Sequence, residues 1–131
     1  MDEFVPISNE TETVGRQVLD AAFSVHRELG PGLMECVYEA CLLHELRLHG
    51  LDPQKQVSRP LVYKGVRLES GLRLDLVVND QVIVELKAVE TMVPVFRAQL
   101  LSYLRLSGLR LGFLINFNVP LLRDGIERII R

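Results

Sequence analysis

The sequence has no tryptophan, and only 6% of its residues are aromatic, so a binding face built on a row of stacking rings is poorly supplied. Cysteine is nearly absent. Cys36 and Cys41 lie five apart in one expected helix, which puts them on different sides of it and makes them poor partners for a disulfide or a zinc ion. His26, His44 and His49 lack metal-ligand spacing and read as solvated or packed side chains. No window approaches the roughly twenty apolar residues of a membrane-spanning helix. Met1-Asp2-Glu3-Phe4 is acidic, without the basic start and apolar stretch of a signal peptide, so the expected location is cytoplasmic. There is no glycine-rich phosphate loop, no Ser-His-Asp order, no internal repeat and no low-complexity tract.

What remains is a chain of 131 residues, 48% hydrophobic, long enough for one domain with a core of its own. Its net charge of −2 conceals an asymmetry: up to Asp52 there are three basic and ten acidic residues, and from Pro53 onward twelve and seven. The second half can therefore offer a local basic surface to a polyanion, although charged residues on solvated strand faces are ordinary and, on charge alone, the stronger reading.

Residues 1–9 read as a loosely ordered N-terminus and 10–131 as a single domain. Asn9 with Glu12 resembles a capping box opening a helix over about 10–29, with Val14, Val18, Ala22, Val25 and Leu29 on its apolar stripe. Gly30-Pro31-Gly32 stops it. A second helix is expected over about 34–49, with Leu33, Val37, Cys41 and Leu48 on or near one stripe. The texture then changes to strands. Lys64-Gly65 signals a turn, Glu69-Ser70-Gly71 a break, and residues 72–78 a strand that turns back through Asn79-Asp80. Pro94 suits the first turn of a third helix over about 94–107, with Ala98, Leu101 and Leu104 or Arg105 on one stripe and Gln99, Ser102 and Tyr103 on another. Residues 111–117 read as a buried strand in parallel crossover, and 126–130 as an edge strand. The expected order is α-α-β-β-β-α-β-β.

Val82-Ile83-Val84-Glu85-Leu86-Lys87-Ala88-Val89 is the run around which the rest is arranged. It is apolar and β-branched, yet it places Glu85 and Lys87 on one face, where burial is costly. A three-residue loop, Asn79-Asp80-Gln81, brings Asp75 across from Glu85; a two-residue loop sets them on opposite faces. The odd length is expected. Two carboxylates across a hairpin suit a hydrated Mg²⁺ or Mn²⁺, with Lys87 beside them to orient water or steady a phosphate. The competing reading is a buried Glu85–Lys87 ion pair with Asp75 at a strand end. Glu35 and Tyr38 share a helix face behind Gly32. Glu35 reads either as a dipole-favoured first-turn acid or as a third carboxylate, and Tyr38 as packing or as part of the site. Gln99 and Tyr103, one turn apart, are candidates for the same cleft.

Gly32-Leu33-Met34-Glu35-Cys36-Val37-Tyr38 resembles the signature of the GxxExxY proteins. Residues 74–78, 82–89, 98–104 and 112–117 follow in that family's order. The family is placed in the PD-(D/E)XK nuclease superfamily. The resemblance implies an α/β, restriction-endonuclease-like core with a central mixed sheet flanked by helices. It implies a nuclease, endo- or exo-acting, that hydrolyses phosphodiester bonds of nucleic acid, with DNA the favoured substrate and Mg²⁺ (alternatively Mn²⁺) as cofactor. Asp75, Glu85 and the Leu86 carbonyl then correspond to metal ligands and Lys87 to the catalytic lysine. Glu35 corresponds to the acidic residue of the first core helix, reaching the metal directly or through water. Gln99 is the polar residue of the later helix, with Tyr38 and Tyr103 as substrate contacts. Leu74 replaces the proline that often precedes the aspartate, and Val95-Phe96-Arg97 lacks an expected His-Glu. A homodimer is compatible with the size, and the alternative function is a binding module of the same fold without turnover.

Overall fold

The computed structural model describes residues 5–131. The first four residues of the expected loose N-terminus lie outside the described residues. The next stretch is tied down, because Arg110 donates to the carbonyl oxygens of Val5 (2.6 Å) and Pro6 (3.2 Å). Helix α1, Asn9–Leu29, starts one residue earlier than the Asn9 cap implies. Ser8 is the cap, and its hydroxyl accepts the Thr11 N–H at 3.1 Å. Val14, Val18, Ala21, Ala22 and Val25 form its buried face.

Helix α2, Glu35–Leu48, corrects the expected stripe. Its buried residues are Tyr38, Leu42, Leu43 and Leu46, whereas Leu33, Val37 and Leu48 are exposed. Apolar side chains occur around most of this helix, so periodicity had two stripes to choose from. The Tyr38 stripe prevails because it alone faces both α1 and the sheet.

Strands β1 (Pro53–Tyr63), β2 (Val66–Val78), β3 (Val82–Lys87), β4 (Leu111–Asn116) and β5 (Ile126–Ile130), with helix α3 (Pro94–Ser107) between β3 and β4, complete the expected order. A short 3-10 turn, Leu122–Gly125, precedes β5. The five strands lie side by side in chain order. Only β3 and β4 pair in parallel, from Val82↔Leu111 to Lys87↔Asn116, as the intervening helix requires. One face of the sheet packs on α1 and α2 through Leu76, Val78, Val84, Leu86, Phe113 and Phe117. The other packs on α3 through Leu72, Leu74, Val77, Ile83 and Leu114. On α3 the buried pair is Leu100 and Leu104, so of the expected stripe Leu104 is buried while Ala98 and Leu101 are exposed.

Two details of the hairpins matter for the site. Glu69-Ser70-Gly71 does not end a strand. It is a bulge inside β2 opposite Pro60, where the pairing changes from Arg59↔Leu72 to Leu61↔Leu68. The β2–β3 loop has the expected odd length, with Val78 paired to Val82. Asn79 and Asp80 both take left-handed φ values (53° and 54°), which short polar side chains tolerate. Asn79 Oδ1 also accepts the Asp52 N–H at 2.7 Å, pinning the loop to the start of β1.

Candidate metal-dependent active site

The β2–β3 ladder runs only from Val78↔Val82 to Leu76↔Val84, and the two strands part at the next rung. That rung is Asp75 and Glu85. In place of main-chain pairing, the two carboxylates reach across the gap. Glu85 Oε1 accepts the Asp75 N–H at 3.2 Å, and Asp75 Oδ2 accepts the Leu86 N–H at 3.0 Å. Each carboxylate thus spends one oxygen on holding the split open in a defined geometry. Successive residues of a strand point their peptide groups to alternate sides. Lys87 O accepts from Phe117 N on the β4 side, so Leu86, whose N–H meets Asp75, turns its carbonyl toward the split.

Glu85 is buried, with 4% of its surface exposed. Burial pushes its carboxyl up to about 9; the neighbouring Asp75 charge and a hydrogen bond between the two carboxyl groups push the same way. The Asp75 N–H and the more distant Lys87 charge pull weakly in the opposite direction. Two carboxylates side by side where the strands part, one buried and one partly buried, hold a proton where a cation fits. The donor set is one of hard oxygens: two carboxylates and the Leu86 carbonyl. It suits a small divalent cation that keeps several waters. Among the described residues, no three His, Cys, Asp or Glu side chains converge closely enough to form a metal cluster by themselves.

Glu35 nevertheless belongs to the same field. It is the first residue of α2, its carboxyl is raised by partial burial and then by Asp75, and the Lys87 charge lowers it. Its placement is built by its neighbours. Gly32 takes φ +98°, a conformation that side chains resist, and turns the chain into the helix. Tyr38 corrects an expectation: it is fully buried and not a substrate contact. Its hydroxyl donates to Gly30 O at 2.5 Å and accepts Leu33 N–H at 3.2 Å, and its ring stacks on Phe117 with centroids 4.7 Å apart. The spacing Gly32-x-x-Glu35-x-x-Tyr38 is thus a turn, a first-turn acid and the bolt that holds both.

Lys87 is half-buried on the α3 side of the sheet, and its ammonium lies 4.3 Å from the centroid of the Phe96 ring. The ring face holds the cation without neutralising it. Phe96 stands in the stretch that lacks the expected His-Glu, and no spacing rule points to its contact with Lys87. Gln99 is exposed and Tyr103 half-buried, and Gln99 Nε2 donates to the Tyr103 hydroxyl at 3.0 Å. The Tyr103 hydroxyl is raised by burial first and then by the Glu85 charge.

Asn116 is a bracing side chain that no sequence spacing signals. It is buried opposite Lys87 in the β3–β4 register. Its amide accepts the Val89 N–H at 3.1 Å and donates to Val89 O at 2.9 Å, extending β3 past the lysine by side-chain mimicry of a strand. The next residue, Phe117, carries Tyr38. The end of β4 therefore braces both the lysine strand and the acid helix.

The family model described as PD-(D/E)XK nuclease superfamily matches residues 12–129. The chain belongs to that superfamily. Superfamily members generally use divalent metal ions on nucleic acid, and the parted strands with Asp75, Glu85 and Lys87 fit that chemistry. Comparison with curated proteins and with solved structures finds no match. No helix among the described residues is long and apolar enough to cross a membrane.

Proposed function

We propose that this chain is a phosphodiesterase that cuts DNA with Mg²⁺, or Mn²⁺ in its place, and that it belongs to the GxxExxY group of the superfamily. The observation that carries the reading is the parting of β2 from β3 at Asp75 and Glu85. Each residue spends only one carboxylate oxygen on the opposite main chain there, and Lys87 stands one step along the same face of β3. Asp75, Glu85 and the Leu86 carbonyl would hold the cation, which supplies charge neutralisation of the two acids and polarisation of the scissile phosphate.

The chain's own groups do the rest. Lys87, steadied by Phe96, donates a hydrogen bond to the attacking water and offsets charge on the phosphate. Glu35, on the opposite wall, orders water around the carboxylate pair. Gln99 and Tyr103, paired on α3, meet the nucleic acid at the cleft's outer rim. Attack in line breaks the bond from phosphorus to the 3′ oxygen and leaves a 3′-hydroxyl and a 5′-phosphate.

The test is incubation of the purified protein with single-stranded, nicked and branched DNA, and with RNA, in Mg²⁺ or Mn²⁺, beside Lys87→Ala and Asp75→Ala. Metal-dependent cutting that both substitutions abolish is expected. Cutting that survives either one refutes the assignment, and binding without cutting by the parent favours a silent module.

A further inference from the structure

Beyond the cleft, the same hairpin continues into open solvent. Strands β1 and β2 are 11 and 13 residues long, whereas β3 covers β2 only over Leu76–Val78. Among the described residues, the ribbon beyond Asp75 has no third strand on either edge. Every residue from Val62 to Gly71 is exposed, although most of that stretch is strand. The distal part is held by its own pairing, Leu61↔Leu68, Val62↔Arg67 and Tyr63↔Val66, and by a tight turn in which Lys64 and Gly65 both take positive φ (47° and 84°). A solvated two-stranded ribbon is marginal on its own, so a chain that retains one has a use for it.

Its charge says what kind of use. Residues 55–73 contain Lys55, Arg59, Lys64, Arg67 and Arg73 against the single acid Glu69, in a protein whose net charge is −2. Arg59 pairs back to Asp80 in the core loop at 2.6 Å, and Arg73 donates to Gln56 at 3.0 Å. Lys64 lies over the exposed Tyr63 ring. Arg67 contacts Glu69 at 2.6 Å in an exposed pair of the kind that exchanges readily for a phosphate. The root of this basic ribbon is Asp75 itself. Because the bulge removes two residues from the ladder, about eight rungs carry the Lys64-Gly65 turn about 26 Å from the carboxylates. One turn of B-form DNA is about 34 Å, and its major groove admits a two-stranded β-ribbon.

We propose that the β1–β2 ribbon is a duplex-reading arm: it lies in the major groove of B-form DNA, its tip about three-quarters of a helical turn from the phosphate held at Asp75 and Glu85. This rests on the nuclease reading and narrows its substrate to double-stranded DNA, or to branched DNA with a duplex limb. The deep, narrow major groove of A-form RNA does not admit the ribbon. Lys64, Arg67 and Lys55 contact phosphates along the groove edges, and Tyr63, Val62 and Val66 supply the apolar contact at the tip.

The experiment measures binding without cutting. A fluorescent 30-base-pair DNA and an RNA duplex of the same length are titrated with the protein in EDTA at several salt concentrations. Lys64→Glu/Arg67→Glu is compared with a control that reverses two charges on α1 and α2, Arg27→Glu/Arg47→Glu. The arm variant is expected to bind duplex DNA roughly ten-fold or more weakly than the control, with a shallower salt slope by about two; the parent is expected to prefer DNA to RNA. Equal binding by arm variant and control, or equal affinity for the two duplexes, overturns the proposal. So does sedimentation showing a parent dimer that Tyr63→Ser/Val66→Ser dissolves, which makes the ribbon a self-association element. Cutting in Mg²⁺ is scored separately. A parent that cuts while its arm variant binds normally refutes the arm and keeps the nuclease; a parent that binds through the arm and never cuts does the reverse.

Discussion

Glu85→Gln tests the electrostatics of the site without needing a substrate. In the metal-free protein the Glu85 carboxyl is pushed up to about 9 from an ordinary 4.5, so the native state holds a proton that the unfolded chain releases. Stability is then fully present below about pH 4.5 and is lost as pH rises toward 9. At pH 8 the cost reaches about 5 kcal/mol at its ceiling, against about 1 kcal/mol at pH 5. Glutamine copies the neutral acid: its oxygen still accepts the Asp75 N–H, and its amide donates to the Asp75 carboxylate. The variant in EDTA is therefore expected to be nearly flat in stability from pH 5 to 8, while the parent falls by at least 1 to 2 kcal/mol. Millimolar Mg²⁺ or Mn²⁺ should restore the parent at pH 8 by displacing the proton, and should leave the variant unmoved. Urea denaturation at the two pH values, with and without metal, measures all four quantities. Because the comparison is of slopes, a constant packing offset from the amide does not affect it. Parallel pH profiles for parent and variant, or equal stabilisation of both by metal, would refute the reasoning.

The remaining predictions concern the bracing of the site. Tyr38→Phe keeps the stack on Phe117 and removes the hydroxyl shared by Gly30 O and Leu33 N–H, so denaturation should show a loss of about 1–3 kcal/mol, and nuclease rate should fall with no change in metal affinity. Asn116→Ala deletes the clamp on Val89 and the bond to Asn118 N–H; roughly 2–4 kcal/mol of stability should go, with Asn116→Asp recovering only part because it cannot donate to Val89 O. Phe96→Leu keeps the apolar bulk under Lys87 and removes the ring face, worth about 0.5–2 kcal/mol, so turnover should drop several-fold while calorimetric metal binding stays level.

Much of the architecture was legible because it rests on local chemistry. Pro94 opening α3, Gly108 in the left-handed conformation closing it, and the parallel pairing of β3 with β4 across that helix all follow from residue types and separation along the chain. So does the Asp75–Glu85 rung. Strand alternation and an odd loop leave only one register that gathers both acids, and Val78↔Val82 is that register. The stripes of α2 and α3 were not legible, because each helix carries two apolar rows and only the neighbouring layers select which is buried. Phe96, Asn116 and Tyr38 were misjudged or missed for a related reason. Their roles are contacts with groups 9, 27 and 79 positions away, which no spacing rule encodes.

By itself, then, the order of residues determined the elements, the loop parity and the three charged side chains of the hairpin, since each depends on backbone preferences within a dozen or so positions. Tertiary structure decided that β2 leaves β3 at Asp75, that the parted strands are spanned by carboxylates, and that the end of β4 braces the lysine on one side and the acid helix on the other. Those outcomes depend on where the sheet's twist and the packing of three helices let the ladder stop, and that is a property of all the layers together.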